Sequence, residues 1–442
     1  MLESVDSPEP AAPIPWDESE FQVPPLDGRT RFHDLDLPIE ILHAIADTGF
    51  QYCTPVQADI LGATLTGNDA TGRAQTGTGK TAAFLITILT RLLREEPPPG
   101  RKNGTPRALI LAPTRELVLQ IVKDAKVLAK YCPFTIVAVL GGIDYAKQQK
   151  QLVGQKVDIV AATPGRLLDF KRRKRVHLDK VEILTIDEAD RMLDMGFIPE
   201  VRTIVYSTPQ KEKRQTLLFS ATLTPEVARL SEQWTRDPVV VEIEPEKVVT
   251  ESVDQLIYHV TAKNKFALLY NIITRQNLKR VLVFCNRRDE TRDLAEKMQR
   301  YGIDCALLSG DIPQDKRLKR LESFRAGKTR VLVATDVAGR GIHIEGISHV
   351  INYTLPYEPE DYVHRIGRTG RAGNTGISVG FADETDSFYL PAIEDFIGNR
   401  LHCIRPDDTW LELPPAPRET LPRRRPSRSK SRKKAKKNHC PS

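Results

Sequence analysis

Long apolar runs are missing from this chain, and so is any leader-like segment. No 18 consecutive residues are apolar, so we expect no membrane-spanning helix. The first twenty residues are acidic and proline-rich. They lack the basic start and apolar core of a secretory signal, and the arginine-rich, acid-poor character of an organelle presequence. These absences favour a cytoplasmic protein that is not embedded in a membrane.

Cysteine is scarce as well, with six residues in a chain of 442. No two of them form a CxxC pair, which argues against a zinc site and against a disulfide framework. We therefore expect reduced thiols, as is usual for a cytosolic protein. The six residues are Cys53, Cys132, Cys285, Cys305, Cys403 and Cys440.

The net charge of +7 is concentrated at one end of the chain. Residues 422–442 contain ten Lys or Arg and no Asp or Glu, so the rest of the chain is slightly acidic. Residues 1–31 have the opposite balance, with seven acidic residues against two arginines. Charge blocks of this kind at chain ends are typical of disordered interaction arms. We predict an acidic arm over 1–30 and a basic disordered tail over 406–442.

Between the arms, short runs rich in Val, Ile and Leu alternate with amphipathic stretches. Continuous apolar runs of this length indicate buried parallel strands, and the alternation predicts an α/β fold with helices on both faces of each sheet. A polar stretch near 243–252 separates two such series. We therefore predict domains at 31–243 and 253–405 with a linker at 244–252. The predicted strands lie at 107–113, 157–163, 181–187 and 215–222, and at 280–286, 304–310, 330–336 and 348–354.

The segment AQTGTGKT (74–81) matches the end of a phosphate-binding loop. Glycines allow backbone N–H groups to face phosphate oxygens, and the positive end of the helix predicted to follow would face the same anion. Lys80 would neutralise the β- and γ-phosphates, and Thr81 would hold Mg²⁺. Ala74 stands where the generic pattern has glycine, so a chance loop is the alternative for this segment taken alone.

The sequence Asp-Glu-Ala-Asp (187–190) directly follows a predicted buried strand. A nucleotide hydrolase needs carboxylates at such a position: Asp187 would bind Mg²⁺ and Glu188 would orient and activate the attacking water. Four such residues alone are more often a solvated loop at the end of a strand. Their position about a hundred residues after a phosphate loop favours the catalytic interpretation.

The octet HRIGRTGR (364–371) lies in the second domain. An arginine that reaches the γ-phosphate across a cleft stabilises charge during phosphoryl transfer, and it can do so only when the domains are closed. A basic surface loop is the alternative.

In this order, the three elements resemble those of the DEAD-box RNA helicases, and the resemblance covers about residues 31–405. It implies two tandem RecA-like domains and an RNA-stimulated ATP hydrolase that uses ATP and Mg²⁺. The segment GFQYCTPVQ (49–57) resembles the family's adenine-reading segment, in which Phe50 would pack near the base and Gln57 would read its edge. The implied nucleotide-binding residues are Phe32, Phe50, Thr54, Gln57, Ala74, Gln75, Thr76, Gly77, Thr78, Gly79, Lys80 and Thr81.

The resemblance also implies roles in catalysis, metal binding and coupling. The catalytic residues would be Lys80, Asp187, Glu188, Arg368 and Arg371, of which the two arginines stand at the family's arginine-finger positions. Thr81 and Asp187 would hold Mg²⁺. Residues that couple hydrolysis to strand separation would be Asp190, Ser220, Thr222 and His364.

RNA would be held by its phosphates, through residues that the family places on both domains. Such contacts fix the register of the strand and carry no sequence information. Closure would bend one strand of a short duplex, so that its partner is lost locally. The implied RNA-binding residues are Pro113, Thr114, Arg115, Gly142, Thr163, Pro164, Gly165 and Arg166, followed by Asn286, Arg317, Thr335 and Gly341.

Two positions depart from the family pattern. Cys53 stands where proline is usual, and His343 stands where an aspartate usually follows the Arg-Gly pair, so the role of that aspartate is not transferred. These departures resemble the bacterial helicases of the RNA degradosome. That similarity implies a role in RNA turnover and an endoribonuclease scaffold as a partner of this protein, which we expect to be a monomer.

Other interpretations of the same residues stay open at this stage. An ATP-gated RNA clamp or scaffold with little unwinding activity would need the same machinery, and a DNA translocase would share much of it. The basic run RRRPSRSKSRKKAKK (423–437) has no aromatic residue, so we expect electrostatic attraction to RNA without base stacking. A targeting signal or a solvated tail is the alternative. KRRKR (171–175) is equally compatible with an RNA-binding patch and with a solvated loop.

Overall fold

The computed structural model describes residues 16–17, 19, 21–73, 78–242, 253–310, 312–336, 346–370 and 376–415. Its strands in the first half are β1 (Ala70–Arg73), β2 (Ala108–Leu111), β3 (Ile136–Val139), β4 (Ile159–Ala162), β5 (Ile183–Ile186), β6 (Gln215–Ser220) and β7 (Val239–Glu242). Those in the second half are β8 (Val253–His259), β9 (Val281–Phe284), β10 (Cys305–Leu308), β11 (Val331–Ala334), β12 (His349–Asn352), β13 (Gly376–Ala382) and β14 (His402–Ile404).

Most of the connections between these strands are helical. In the first half the helices are α1 (Ile39–Thr48), α2 (Pro55–Thr64), α3 (Lys80–Arg94), α4 (Arg115–Leu128), α5 (Tyr145–Val153), α6 (Pro164–Arg172), α7 (Ala189–Asp194), α8 (Ile198–Val205) and α9 (Pro225–Trp234). In the second half they are α10 (Lys265–Arg275), α11 (Arg288–Arg300), α12 (Gln314–Arg325), α13 (Pro359–Ile366) and α14 (Leu390–Ile397).

The fourteen strands form two seven-stranded sheets in which every pairing is parallel. The orders are β3-β4-β2-β5-β6-β1-β7 and β10-β11-β9-β12-β13-β8-β14. If the strands of each sheet are numbered from one to seven along the chain, the two sheets have the same strand order. The predicted fold class of two tandem parallel-sheet domains is confirmed. The linker predicted at 244–252 lies outside the described residues, so its boundaries stay a prediction.

The apolar runs become strands because both faces of each sheet are covered. In β2, Ala108 and Ile110 belong to one core cluster, and Leu109 and Leu111 belong to the cluster on the other face. Successive side chains of a strand point to opposite faces, so a strand buried on both sides must be apolar throughout. All eight predicted strands are present, each somewhat shorter than its apolar run. Burial of each large aliphatic side chain contributes roughly 1.5–3 kcal/mol.

The N-terminal arm contacts the first domain through Phe21, Val23 and Pro24, so the prediction of disorder over all of 1–30 is wrong for this part. Val23 is buried, and its carbonyl accepts a hydrogen bond of 3.1 Å from the Arg31 guanidinium. The Tyr52 hydroxyl donates to the Pro24 carbonyl at 2.8 Å. Composition failed to show this because the contacts join residues distant in the chain. Most of 1–20 lies outside the described residues.

The predicted C-terminal tail also begins later than residue 406. Trp410 and Leu411 pack against the core of the second domain. The Asn271 amide donates to the carbonyls of Trp410 and Glu412 at 2.9 and 2.8 Å. The folded domain therefore reaches at least residue 412, and residues 416–442 lie outside the described part of the chain. None of the described helices is both long and apolar enough to cross a membrane.

Candidate functional site

A cavity of about 440 Å³ lies between the carboxyl ends of the two sheets and is lined by both domains. The first domain contributes Lys80 and Glu188, and the second contributes His364 and Arg368. In open parallel sheets, ligands bind outside the carboxyl ends of the strands. The cavity therefore lies where the sequence predicts the reaction to take place.

The last residues of the phosphate loop are held by the predicted adenine segment. The Thr54 hydroxyl donates to the Thr78 carbonyl at 2.9 Å, and the Gln57 amide donates to the Gly79 carbonyl at 3.2 Å. Gly79 has a φ of +93°, and a Cβ there would lie 2.6 Å from the Gln57 amide nitrogen. Both the backbone conformation and the space therefore require glycine. Residues 74–77, also predicted to bind nucleotide, lie outside the described part.

Lys80 begins helix α3 and is almost fully buried beside Asp187, which follows β5. Its Nζ lies 3.1 Å from Asp187 Oδ1. Burial alone would lower the pKa of Lys80, but the charges of Asp187 and Glu188 outweigh it and raise the pKa above its ordinary value. The ammonium therefore stays charged at the edge of the cavity, where a phosphate would replace its carboxylate partner.

Asp187 offers a ligand position that suits a divalent cation. Its Oδ2 is buried and has no hydrogen-bond partner among the described residues. Burial raises the pKa of this carboxyl group, and the charge of Lys80 offsets only part of the effect. Carboxylate and hydroxyl oxygens are the ligands that Mg²⁺ takes in nucleotide hydrolases. Asp187 and the half-buried Thr81 in the first turn of α3 therefore fit Mg²⁺.

Glu188 has an unusual backbone conformation for a residue that is not glycine. Its φ and ψ are 56° and 55°, in the left-handed region. Such a conformation costs about 1–2 kcal/mol and is often retained at functional sites. Glu188 lines the cavity, and its carboxylate lies 3.4 Å from the Arg191 guanidinium. The strained turn thus holds the predicted general base at the cavity wall.

Asp190 joins this turn to the segment after β6. Its Oδ2 accepts hydrogen bonds from the backbone N–H groups of Ala221 and Thr222, both at 2.9 Å, and from the Thr222 hydroxyl at 3.2 Å. The Ser220 hydroxyl accepts from the Asp190 backbone N–H at 3.2 Å. The predicted coupling residues of the first domain therefore form one network, and Thr222 extends it to the cavity.

Helix α13 brings the second domain to the same cavity. Arg368 is 4% exposed, and its Nε donates to the His364 carbonyl at 3.1 Å. Both residues line the cavity. Arg371 lies outside the described residues, so its predicted role stays a prediction.

One functional candidate in this helix was missed at the sequence level. The Arg365 guanidinium bonds to both carboxylate oxygens of Asp336, to Asn286 Oδ1 and to the Thr354 carbonyl, and it lies over the Phe284 ring. Arg365 thereby holds the ends of β9, β11 and β12 together beneath the cavity. Arg365 stands three residues after the buried Tyr362, and residues at that spacing lie on the same face of a helix. This spacing could have predicted that Arg365 is buried as well.

Three of the predicted RNA-binding residues of the first domain, Arg115, Gly142 and Arg166, meet at the loop that follows β3. The Arg115 guanidinium lies against Gly142, which has a φ of +78°, and a Cβ there would lie 2.2 Å from an Arg115 nitrogen. The Arg166 guanidinium donates to the Ile143 carbonyl at 3.4 Å. Thr114 caps helix α4, and the exposed Gly165 lies in the first turn of α6. Pro113 and Pro164 are buried and Thr163 is partly buried, so RNA contacts by these side chains stay a prediction.

The second-domain RNA candidates are more engaged with protein groups. The Arg317 guanidinium lies 2.6 Å from the Glu116 carboxylate of the first domain. The Asn286 amide donates to the Leu355 carbonyl at 2.8 Å, while its oxygen accepts from Arg365. Thr335 is buried, and Gly341 lies outside the described residues. RNA contacts by these side chains stay a prediction.

The nucleotide-binding role predicted for Phe32 needs correction. Its side chain is fully buried in the core of the first domain, so it cannot contact a ligand directly. Residues 30 and 31 instead pair with 52 and 53, which places Phe32 underneath the adenine segment. Phe50, by contrast, is 48% exposed and available to a base.

Comparisons with known proteins agree with this geometry. Residues 54–230 match the family model described as DEAD/DEAH box helicase, and residues 264–373 match the model described as helicase conserved C-terminal domain. The chain is 59% identical over 397 residues to the ATP-dependent RNA helicase RhlB of Pseudomonas putida, an alignment that covers 90% of this chain and 99% of that protein. It is 44% identical over 388 residues to RhlB of Shewanella oneidensis, with 88% of each chain covered.

Two solved structures with bound ligands share the fold. Dbp5 of S. cerevisiae bound to RNA and ADP BeF3 has a TM-score of 0.77 at 30% identity, covering 86% of this chain and 97% of that one. Mss116p bound to ssRNA and AMP-PNP also has a TM-score of 0.77, at 28% identity, covering 88% of this chain and 82% of that one. The chain therefore belongs to the DEAD-box family of ATP-dependent RNA helicases and is most simply described as similar to the RhlB proteins within it.

Proposed function

We propose that this protein uses ATP to close its two domains on single-stranded RNA and thereby opens short RNA duplexes. The observation that carries the proposal is the shared cavity, in which Lys80 and Glu188 of one domain face the same space as His364 and Arg368 of the other. A γ-phosphate bound there would be contacted from both sides. Nucleotide would then stabilise the closed arrangement of the domains.

Each residue at the cavity has a role that follows from its position. Lys80 neutralises the β- and γ-phosphates, and Glu188 orients and activates the attacking water. Mg²⁺, held by Thr81 and Asp187, supplies neutralisation of phosphate charge when it is bound. Arg368 and Arg371 stabilise the charge that develops on the transferred group. Thr54 and Gln57 hold the end of the phosphate loop in place, and Phe50 is exposed for contact with the adenine.

RNA binding follows from the row formed by Arg115, Gly142 and Arg166 and from the second-domain segments around Arg317 and Thr335. Guanidinium groups, hydroxyls and helix N-termini bind phosphates without regard to sequence. Because ATP and RNA both favour the closed arrangement, each should tighten the binding of the other. Closure bends one strand, its partner dissociates locally, and hydrolysis reopens the cleft.

The biological setting that we propose is RNA turnover in the cytoplasm. The support is the similarity to RhlB over nearly the whole chain, together with Cys53 and His343, the two departures from the wider family pattern. The partner that this setting implies is the scaffold of an endoribonuclease.

The proposal is tested by measuring ATP hydrolysis and the opening of a short RNA duplex in the same preparation. We expect RNA but not DNA to stimulate ATP hydrolysis, and duplex opening to require ATP. Glu188→Gln should retain ATP and RNA binding while hydrolysis falls by about 10²–10⁴-fold. RNA-stimulated hydrolysis without duplex opening would identify an ATP-gated clamp, and stimulation by DNA would identify a translocase on DNA. Either result would replace the proposal.

A further inference from the structure

The row of arginines on the first domain continues past the residues assigned to RNA. The ring of Tyr145, in the first turn of α5, stacks on Phe170 with centroids 4.5 Å apart. The Arg166 guanidinium lies 5.5 Å from the centre of the Tyr145 ring, and the Arg173 guanidinium lies 4.9 Å from it. Two arginines from the two ends of α6 therefore meet at one aromatic ring.

This cluster is continuous with the predicted RNA surface. Arg115 lies against Gly142, Arg166 donates to the carbonyl of Ile143, and Tyr145 follows two residues later. The loop 141–145 thus connects the guanidinium groups of Arg115, Arg166 and Arg173. We define Tyr145, Arg166 and Arg173 as the Tyr145 platform.

Arg173 is available to exchange its present partner. Its side chain is 63% exposed, and it pairs with Asp169 at 2.9 Å, one turn earlier in the helix. Such exposed ion pairs contribute only about 0–1 kcal/mol, so a phosphate with several acceptor oxygens can replace the carboxylate. Guanidinium planes and aromatic rings also accept stacked bases of single-stranded RNA.

The residue that follows provides an independent observation. Lys174 is exposed and has a φ of +54°, at the end of a helix where glycine is the usual residue. A lysine there costs about 1 kcal/mol more than a glycine would. Stabilisation of the helix end by positive charge is already supplied by Lys171 and Arg172 in its last turn. The positive charge of Lys174 therefore indicates a role other than stabilising the end of the helix.

We propose that the Tyr145 platform and Lys174 bind RNA that extends beyond the strand held between the two domains. The proposal rests on the RNA-binding function proposed above and extends it to a second stretch of the same strand. Because the strand crosses both domains, only one of its two ends leaves over the first domain. The patch should therefore strengthen binding of an RNA lengthened at one end and not at the other.

The test uses the full chain, a non-hydrolysable ATP analogue and three labelled uridine oligonucleotides. The first is the shortest that fully stimulates ATP hydrolysis; the others are lengthened at the 5′ or at the 3′ end. For wild-type protein we expect one extension to tighten binding. Arg173→Gln and Lys174→Gly should each weaken binding of that lengthened RNA by about two- to fivefold. The slope of log affinity against log salt should fall by about 0.7 for each cation removed.

The controls separate this role from a structural one. Lys174→Gly relieves the left-handed backbone, so folding stability should be unchanged or higher, and a loss of affinity must come from the lost charge. Lys213→Gln removes an exposed cation just before β6, at the opposite end of that strand from Ser220, and should leave all three affinities unchanged.

Two results would overturn the inference. If Arg173→Gln and Lys174→Gly bind every RNA as wild type does, the cations serve only the helix end. If they weaken the short and both lengthened RNAs equally, no separate extension site exists. Failure of the wild-type protein to bind RNA at all would instead refute the proposed function, so the two proposals fail in distinguishable ways.

Discussion

The two domains have the same strand order, but the lysine at one equivalent position has different surroundings in each. In each, the helix after the first strand begins with a buried lysine, Lys80 in α3 and Lys265 in α10, and both are 3% exposed. Lys80 pairs with Asp187 and faces the cavity. Lys265 pairs with two carboxylates, Asp383 at 2.8 Å and Asp386 closer still.

The loops before these lysines explain the difference. The loop before Lys80 contains glycines, and Gly79 allows the close approach of Gln57. The loop before Lys265, residues 260–264, contains none. Without glycine the backbone cannot readily turn its N–H groups toward a phosphate, and the second domain satisfies its lysine with its own carboxylates. In the function that we propose, the same fold thus yields one domain that holds nucleotide and one that supplies groups to it.

The largest expected effect tests this division of labour at the second domain. Arg371→Ala should slow RNA-stimulated ATP hydrolysis by about 10³–10⁵-fold, because an arginine that stabilises transferred charge contributes that much. Nucleotide affinity should change little. Single-turnover hydrolysis with saturating RNA measures the effect, and Arg368→Ala is measured beside it. A near-normal rate for Arg371→Ala, with a large loss for Arg368→Ala, would assign the role to the arginine that lines the described cavity.

The second prediction compares the two lysines directly. Lys265→Met leaves the buried Asp386 and the partly buried Asp383 without their cation, so we expect a loss of about 3–5 kcal/mol in the free energy of unfolding. Lys80→Met removes the cation that faces the phosphate site, so its main effect should be on ATP binding. Urea unfolding and ATP titration of both variants measure the two effects. Equal destabilisation by the two substitutions, or a loss of ATP affinity in folded Lys265→Met, would contradict the comparison.

The lysine pair also shows what the sequence could predict and what it could not. Apolar runs predicted eight of the fourteen strands, and local motifs predicted Lys80, Asp187 and Glu188, because the residues that mark each of them are its neighbours in the chain. Nothing local marked Lys265, whose carboxylate partners are more than a hundred residues away. The same reason applies to Phe32, which was expected to contact nucleotide and is buried in the core.

The third prediction concerns the contact between Asp190 and the segment after β6. Thr222→Val removes one hydroxyl hydrogen bond to Asp190 and keeps the shape and the two backbone bonds. We expect the lost hydrogen bond to lower the free energy of this interaction by about 1 kcal/mol. Duplex opening should fall severalfold more than ATP hydrolysis. Thr222→Ser restores the hydroxyl and should restore the ratio of duplex opening to hydrolysis. Parallel loss of both activities in the valine variant would show that Thr222 acts on catalysis itself.

The smallest expected effect lies beyond the sheets, where the first domain continues into an acidic arm and the second into a basic tail. Truncation at Pro422 removes ten cations and no carboxylate. Because the tail has no aromatic residue, its attraction to RNA should be electrostatic, and it should fade as salt screens phosphate charge. We therefore expect weaker RNA binding chiefly at low salt, with a shallower dependence of affinity on salt concentration. Removal of residues 1–15, which carry three acidic side chains and no cation, is the matched control and should not weaken RNA binding. An unaltered salt dependence after truncation would show that the tail does not contact RNA, and that the two folded domains bind RNA without it.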